Sequence, residues 1–310
     1  MGVLLLSLLR YMRNCAGLSR NVRFFFEFSV LAPDSVGDTT PLPELSIDMS
    51  PEEAGRLLRS YTGVSLQVQH SWQNSNEALN GWVDAVENRG ILVVNVTRVP
   101  VDEARGFSVS ELPFPVVGLN GADWPRPRVF TLFHELAHIA LNVGGLCDLH
   151  ESERSPIRKA DRLEHFCNAV AVAAIVPADD LLTSEAVSRR SDNYQWSVDE
   201  LKVLADRYMI SSEALLLRLV SLKRASWDLY WSRKRELETI YKDAREEQNR
   251  RQRESKGGPS YYTVKARDIG HAYAHAVLDA YRSHAISSLD VADYLHVKYN
   301  QIAKLESVLR

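Results

Sequence analysis

The sequence predicts an α+β fold. Helix signals flank three short β-branched runs, an apolar helix carries two histidines four residues apart, and the second half lacks strand signals. Residues 1–50 read as an irregular leader. Pro33, Gly37, Pro41 and Pro43 punctuate a loop there, and the aromatic stretch 23–28 is expected to pack on a core. Ser50-Pro51-Glu52-Glu53 opens a helix: a capping serine, proline at the first position and acids in the first turn. That helix carries Ala54, Leu57 and Leu58 and ends near Gly63, and a second spans about 75–88. The β-branched run 90–96 predicts a strand, and 106–110 and 115–119 predict two more joined by a short turn.

The apolar run 130–141 follows, reading Phe-Thr-Leu-Phe-His-Glu-Leu-Ala-His-Ile-Ala-Leu. Residues 144–158 read as loop. A helix resumes at Arg162, is apolar almost all round and stops at Pro177, which predicts a buried central element. Residues 196–220 read as helix, short turn, helix. Residues 223–256 form a long helix of mixed charge, broken by Lys256-Gly-Gly-Pro-Ser260, and an all-helical tail runs to Arg310. No internal repeat stands out.

Composition bounds the function. The 310 residues are 45% hydrophobic and 25% charged, with a net charge of −3, as in ordinary globular chains. Nothing in this balance points to nucleic-acid binding by the whole chain. Cys15, Cys147 and Cys167 suit a reducing compartment better than a disulfide scaffold. The apolar run in Met1–Arg10 has no basic residue before it and no small-residue cleavage site after it, and it is too short to span a membrane. It reads as the start of an amphipathic helix. The expectation is a cytoplasmic protein without membrane contact, with a signal peptide as the minor alternative.

Chemistry concentrates in His134-Glu135-Leu-Ala-His138. Residues i and i+4 share one helical face, so both imidazoles can point at one ion. Glu135 lies about 100° round the helix, beside the metal, where a general base for a water would sit. Chance would give this motif to roughly one chain in a hundred of this length. A catalytic zinc needs a third protein ligand and an open position. Leu141 and Gly144 exclude the metzincin arrangement, which would require Gly and His there. Downstream carboxylates are Asp148, Glu151, Glu153, Asp161 and Glu164. Of these, Glu164 lies well inside a buried apolar helix, where metal ligation would offset the burial of a charge. Asn168, one turn on, could hydrogen-bond a ligand.

Arg128-x-Phe-Thr-Leu-x-His134-Glu-Leu-Ala-His138, then Gly145-Leu-Cys-Asp148, then Glu164-x-x-Cys-Asn168-x-x-Ala171 running into Pro177, resembles the ImmA/IrrE family of HExxH metallopeptidases. Glu87-x-Arg-Gly-Ile-Leu-Val and Arg105-Gly-Phe-Ser fit the lead-in, and the resemblance covers about residues 50–225. It implies zinc (Zn2+) held by His134, His138 and Glu164, with Glu135 as catalytic base, in a zincin-like, gluzincin-like core of a small mixed sheet and the HExxH helix. Phe133, Ala137 and Cys167 depart modestly from the family pattern. Many relatives begin with a DNA-binding domain, for which this leader is too short.

The implied reaction is peptide hydrolysis. The implied partner is a protein substrate, a helix-turn-helix repressor or antitoxin, in transcription regulation, stress response or toxin–antitoxin settings. A non-catalytic metal-containing antirepressor or sensor, or a DNA-binding regulator, is the alternative. The expected division is a leader over 1–50 and a zinc metallopeptidase domain over 51–182. A helix-turn-helix-like region over 183–225, a charged helix and linker over 226–260, and a helical domain over 261–310 follow.

Other signals weigh less. His150, His165 and Tyr194 are candidate donors to an oxyanion. His271 and His275 form a second i, i+4 pair with no adjacent base, read as ordinary helix histidines. Cys147 is read as an idle loop thiol. Residues 196–260 offer a DNA contact as a secondary expectation, weakened by Leu215, Leu216, Leu217 and Leu219 in the second helix.

Overall fold

The computed structural model describes residues 41–96, 99–110, 115–142, 159–254, 260–284 and 286–309. The first helix, α1 (Pro51–Thr62), starts where the sequence signals it. Ser50 Oγ accepts from the Glu53 amide, and Gly63 closes the helix in the left-handed region at φ 71°. Two more helices follow, α2 (Leu66–Ser71) and α3 (Ser75–Glu87). The short α2 carries too little apolar periodicity to be seen in the sequence.

Strands β1 (Leu92–Val96), β2 (Gly106–Val109) and β3 (Val116–Asn120) form a mixed sheet in the order β1-β3-β2. β1 runs parallel to β3, with Leu92 opposite Val116, while β2 runs antiparallel to it, with Gly106 opposite Leu119. Alternation splits the sheet. Val93, Val117 and Leu119 enter the main core, while Val94, Val96, Phe107 and Val116 pack on the other face.

The long helix α4 (Pro125–Ala140) crosses the sheet, and α5 (Lys159–Ile175) packs against it. α4 begins five residues before Phe130; Pro125 and Pro127 sit in its first turn, where an amide is not needed. From Arg128 to Ala140 all but one residue of α4 are buried. Short helices α6 (Ala178–Thr183) and α7 (Glu185–Ser188) lead to α8 (Val198–Tyr208) and α9 (Ser212–Ser221). The charged helix α10 (Trp227–Glu254) leads to α11 (Tyr261–Ile269), α12 (His271–Arg282), α13 (Ser288–Tyr294) and α14 (Ile302–Leu309), the last preceded by a 3-10 turn at Tyr299–Gln301. Helices α11–α14 bury a core of their own around Ala274, Val277, Leu295 and Leu305. None of the described helices is long and apolar enough to cross a membrane. The aromatic stretch 23–28, Cys15 and Cys147 lie outside the described residues.

Two features fix α5. Near its C-terminal end it meets α1 so closely that a Cβ on Gly55 would lie 2.6 Å from Ala173 Cβ, so a larger residue would push the helices apart. Its last carbonyls face one half-buried and one fully buried arginine. Arg59 Nη1 donates to Ala174 O (3.0 Å), and Arg218 Nε donates to Val176 O (2.8 Å) just beyond the helix. Gln69 Nε2 donates to Ile175 O (3.1 Å). Cations and donors at a helix C-terminus satisfy the orphan carbonyls and favour the dipole.

The Arg218 side chain is fully buried, and Glu52 pairs with it across the α1–α9 contact. Arg218→Ala should lower stability by about 3–5 kcal/mol in urea unfolding, because it leaves Val176 O uncapped and a cavity beside it. Glu52→Gln should cost at most about 1 kcal/mol, since that carboxylate is half exposed. Equal, small effects from both would show that Arg218 does no more than a surface ion pair.

Candidate metal centre

Three donor atoms converge where α4 crosses α5. His134 Nε2 and His138 Nε2 lie 3.0 Å apart. Glu164 reaches both, with Oε2 at 3.2 Å from His134 Nε2 and Oε1 at 3.4 Å from His138 Nε2. Both histidines are buried and Glu164 is half-buried. A tetrahedral zinc with bonds of about 2.0–2.1 Å would separate its ligand atoms by roughly 3.3 Å. The observed separations are close to that, and the chemistry, two imidazoles and one carboxylate, suits such an ion. The residues present therefore fit the metal that the sequence implies. Among the described residues this is the only group of histidine, cysteine and acidic side chains found in such an arrangement.

Helical spacing produces the geometry. His134 and His138 are one turn apart on the same face of α4, and Glu164 enters from the N-terminal half of α5. Burial holds His134 below its ordinary pKa and so favours the neutral imidazole that can ligate a metal. Burial alone would push Glu164 upward, but His134 and His138 outweigh it and hold the carboxyl well below the usual range.

Glu135 is 1% exposed beside this triangle. Burial pushes its pKa up to about 8. Ser108 on β2 opposes that rise, yet neither Ser108 Oγ nor Glu135 Oε2 has a protein partner within full hydrogen-bond range. Asn168 Oδ1 and His134 Nδ1 are likewise buried without one. Asn168 nonetheless lies close enough to support the protonated form of His134.

Sequence reasoning missed Ser108 and Gly106. Both lie on the β2 face that meets α4, as alternate strand residues must. A Cβ on Gly106 would come within 2.4 Å of Thr131 Cγ2 and 3.3 Å of Glu135 Oε1, so glycine lets the strand lie against the helix at the Glu135 level. The strand alternation around Arg105-Gly-Phe-Ser was the signal that could have found them.

The other candidates fall elsewhere. Asp148, His150, Glu151 and Glu153 lie outside the described residues. Asp161 stands outside the donor triangle, and His165 is exposed. The Tyr194 hydroxyl donates to Glu200 Oε1 (2.9 Å) at the start of α8. Cys167 is fully buried, and desolvation pushes its thiol far up, as suits a packing residue. His275 is exposed on α12. In the 196–220 segment, Leu215, Leu216 and Leu219 are fully buried, and Leu217 packs against the same core.

A mixed α+β domain here gathers two imidazoles and a carboxylate that could hold a metal ion, with a further buried carboxylate beside them. Residues 87–220 match the family model of the IrrE N-terminal-like domain, a peptidase family. The matched stretch contains the whole sheet, α4 and α5, and the match supports the resemblance to the ImmA/IrrE family. No curated protein matches the chain.

The raised Glu135 carboxyl gives the metal-free protein a pH signature. A carboxyl whose folded pKa lies above its unfolded value contributes stability below about pH 4.5 and loses it as pH rises toward about 8. After chelation, Glu135→Gln should therefore be more stable than wild type at pH 8, by on the order of 2 kcal/mol. The difference should shrink toward pH 5. Parallel melting curves that stay superimposed from pH 5 to 8 would refute the raised value.

Proposed function

We propose that the protein is a zinc metallo-endopeptidase that cleaves a specific protein partner. His134, His138 and Glu164 hold the ion and Glu135 is the catalytic base. One observation carries the reading: the three donor atoms meet at ligand spacing beside a buried carboxylate, inside a domain of a peptidase family. A divalent ion at this point would supply Lewis acidity, making a water molecule a better nucleophile and polarising the scissile carbonyl. Glu135 accepts the proton of the attacking water and returns it to the leaving amine. A carboxyl raised by burial is matched to both transfers near neutral pH. Ser108 and Gly106 bring β2 against the base, and Asn168 lies beside His134. Among the described residues β2 has a strand partner on one side only, so an extended peptide can add along its outer edge next to Glu135.

The substrate class follows from the resemblance in sequence: a helix-turn-helix repressor or antitoxin whose cleavage changes transcription. An enzyme restricted to one partner would be silent in general protease assays. Purified wild-type protein should carry one zinc per chain by elemental analysis. His134→Ala should lose most of it, and Glu135→Gln should retain it. Co-expressed with repressors encoded beside its gene, wild type should shorten one of them and Glu135→Gln should leave it intact, a loss of at least about a hundredfold in rate. A partner equally intact with both proteins, together with zinc well below stoichiometric, would overturn the assignment. Zinc retention with full biological output from Glu135→Gln would favour the non-catalytic antirepressor instead.

A further inference from the structure

The chain folds one two-helix unit twice. In α8–α9, Leu204, Ala205 and Tyr208 face the core from the first helix, and Leu215 and Arg218 face it from the second. The turn between them passes through Met209 in the left-handed region at φ 54°, and the Ile210 amide donates to Ala205 O (3.2 Å). In α13–α14, Val291, Ala292 and Leu295 take the first three places, Ile302 and Leu305 the last two. His296 holds the turn at φ 48°, and the Val297 amide donates to Ala292 O (3.0 Å). This is the spacing of a helix-turn-helix: a short turn with one left-handed residue and apolar positions that lock the second helix against the first.

The two copies differ in what the second helix shows to solvent. In α9 the face that would read a ligand is covered: Ser211, Ser212, Leu216 and Val220 are buried. In the second copy the equivalent face comprises Lys298, Tyr299, Asn300, Ala303, Lys304 and Ser307, all exposed. It carries no carboxylate. Glu306, the one acid of α14, is turned to Arg282 on α12. Asp290 is bound to Ser287 at the cap of α13. Two lysines, an amide and a tyrosine at the start of a second helix are the groups that meet phosphates and base edges in a major groove.

We propose that α13–α14 binds duplex DNA, with the exposed face from Lys298 to Lys304 in the major groove. Asn300 reads an adenine edge, and Lys298 and Lys304 meet phosphates or guanine. The contact lies outside 196–260. Residues 260–309 hold five basic and five acidic side chains, so attraction to DNA in general is weak and sequence readout carries the affinity. This inference is independent of the peptidase reading, since none of these residues touches the metal centre.

The full-length protein, purified with its metal, should be put through selection on a randomised duplex pool, then titrated by fluorescence anisotropy against the enriched duplex. One related set of sequences is expected to enrich. Asn300→Ala should weaken binding roughly tenfold and relax the preference at one base position. Lys298→Glu with Lys304→Glu should weaken it at least about tenfold and lower the salt slope by about two. Zinc content should not move, and the melting temperature should fall little, Lys304 losing only its place over the Tyr262 ring at 6.0 Å. No enrichment, or binding indifferent to the lysine pair, would overturn the proposal. So would binding that is lost with Arg250→Ala and Arg251→Ala on α10 instead. Self-association that Tyr299→Glu abolishes, in a protein with no DNA affinity, would make the face a protein contact and overturn it too.

Discussion

The position of Glu164 is set at the other end of its helix. Ala174 and Glu164 are separated by about 15 Å of α5. A tilt of about 5° at the Ala174 end would move the carboxylate by roughly 1.3 Å. That is enough to break contacts of 3.2 and 3.4 Å to the two imidazoles. The end that must not tilt is the end held most firmly. Gly55 lets α1 and α5 touch backbone to backbone, and Arg59, Gln69 and Arg218 occupy the last carbonyls. Arg59 and Arg218, far from the donor triangle, therefore help to position it. Their desolvation is offset by carbonyls that would otherwise be buried and unpaired.

The second constraint is the dryness of α4. A helix buried nearly all round places His134, Glu135 and His138 together in the interior. Burial then acts on each group differently. It holds His134 below its ordinary pKa, as the ligand role proposed for it requires, and lifts Glu135 toward neutral pH, as the proposed proton shuttle requires. Glu164 escapes that lift because two imidazoles face it. Two carboxyls a few residues apart in space thus acquire opposite character without any change of residue type.

Much of this was legible in the sequence, and the reasons for success and failure are specific. The i, i+4 spacing of His134 and His138 fixes a shared face whatever the fold, and Ser50-Pro51 and Gly63 mark helix ends by local chemistry alone. Glu164 could be singled out because its helix is too apolar to be a surface element. Ser108 and Gly106 could not be assigned, because a four-residue strand does not reveal which helix its face will meet. The early start of α4 was hidden by Pro127, a residue that reads as a break yet is tolerated in a first turn. The two-helix repeat was hidden because its copies share burial positions and a left-handed turn rather than residues: Arg218 in one stands where Leu305 stands in the other.

The sheet's open edge explains how the C-terminal helices join the rest. Among the described residues β1 is an edge strand, and an uncovered edge invites pairing with other chains. Here α11 and α12 lie against it. Gly270, between them, sits at φ 91°, and a Cβ there would come within 2.9 Å of Val93 O. Both the conformation and the approach demand glycine. Asn95 on β1 joins the two halves, donating to Arg267 O on α11 and accepting from Arg128 on α4. One edge residue thus bridges the helix that carries His134 and His138 to the unit that presents Lys298 and Asn300. Arg128 is buried at that joint, and burial pulls its pKa down to about 10, so the Asn95 amide is where much of its charge finds a hydrogen bond.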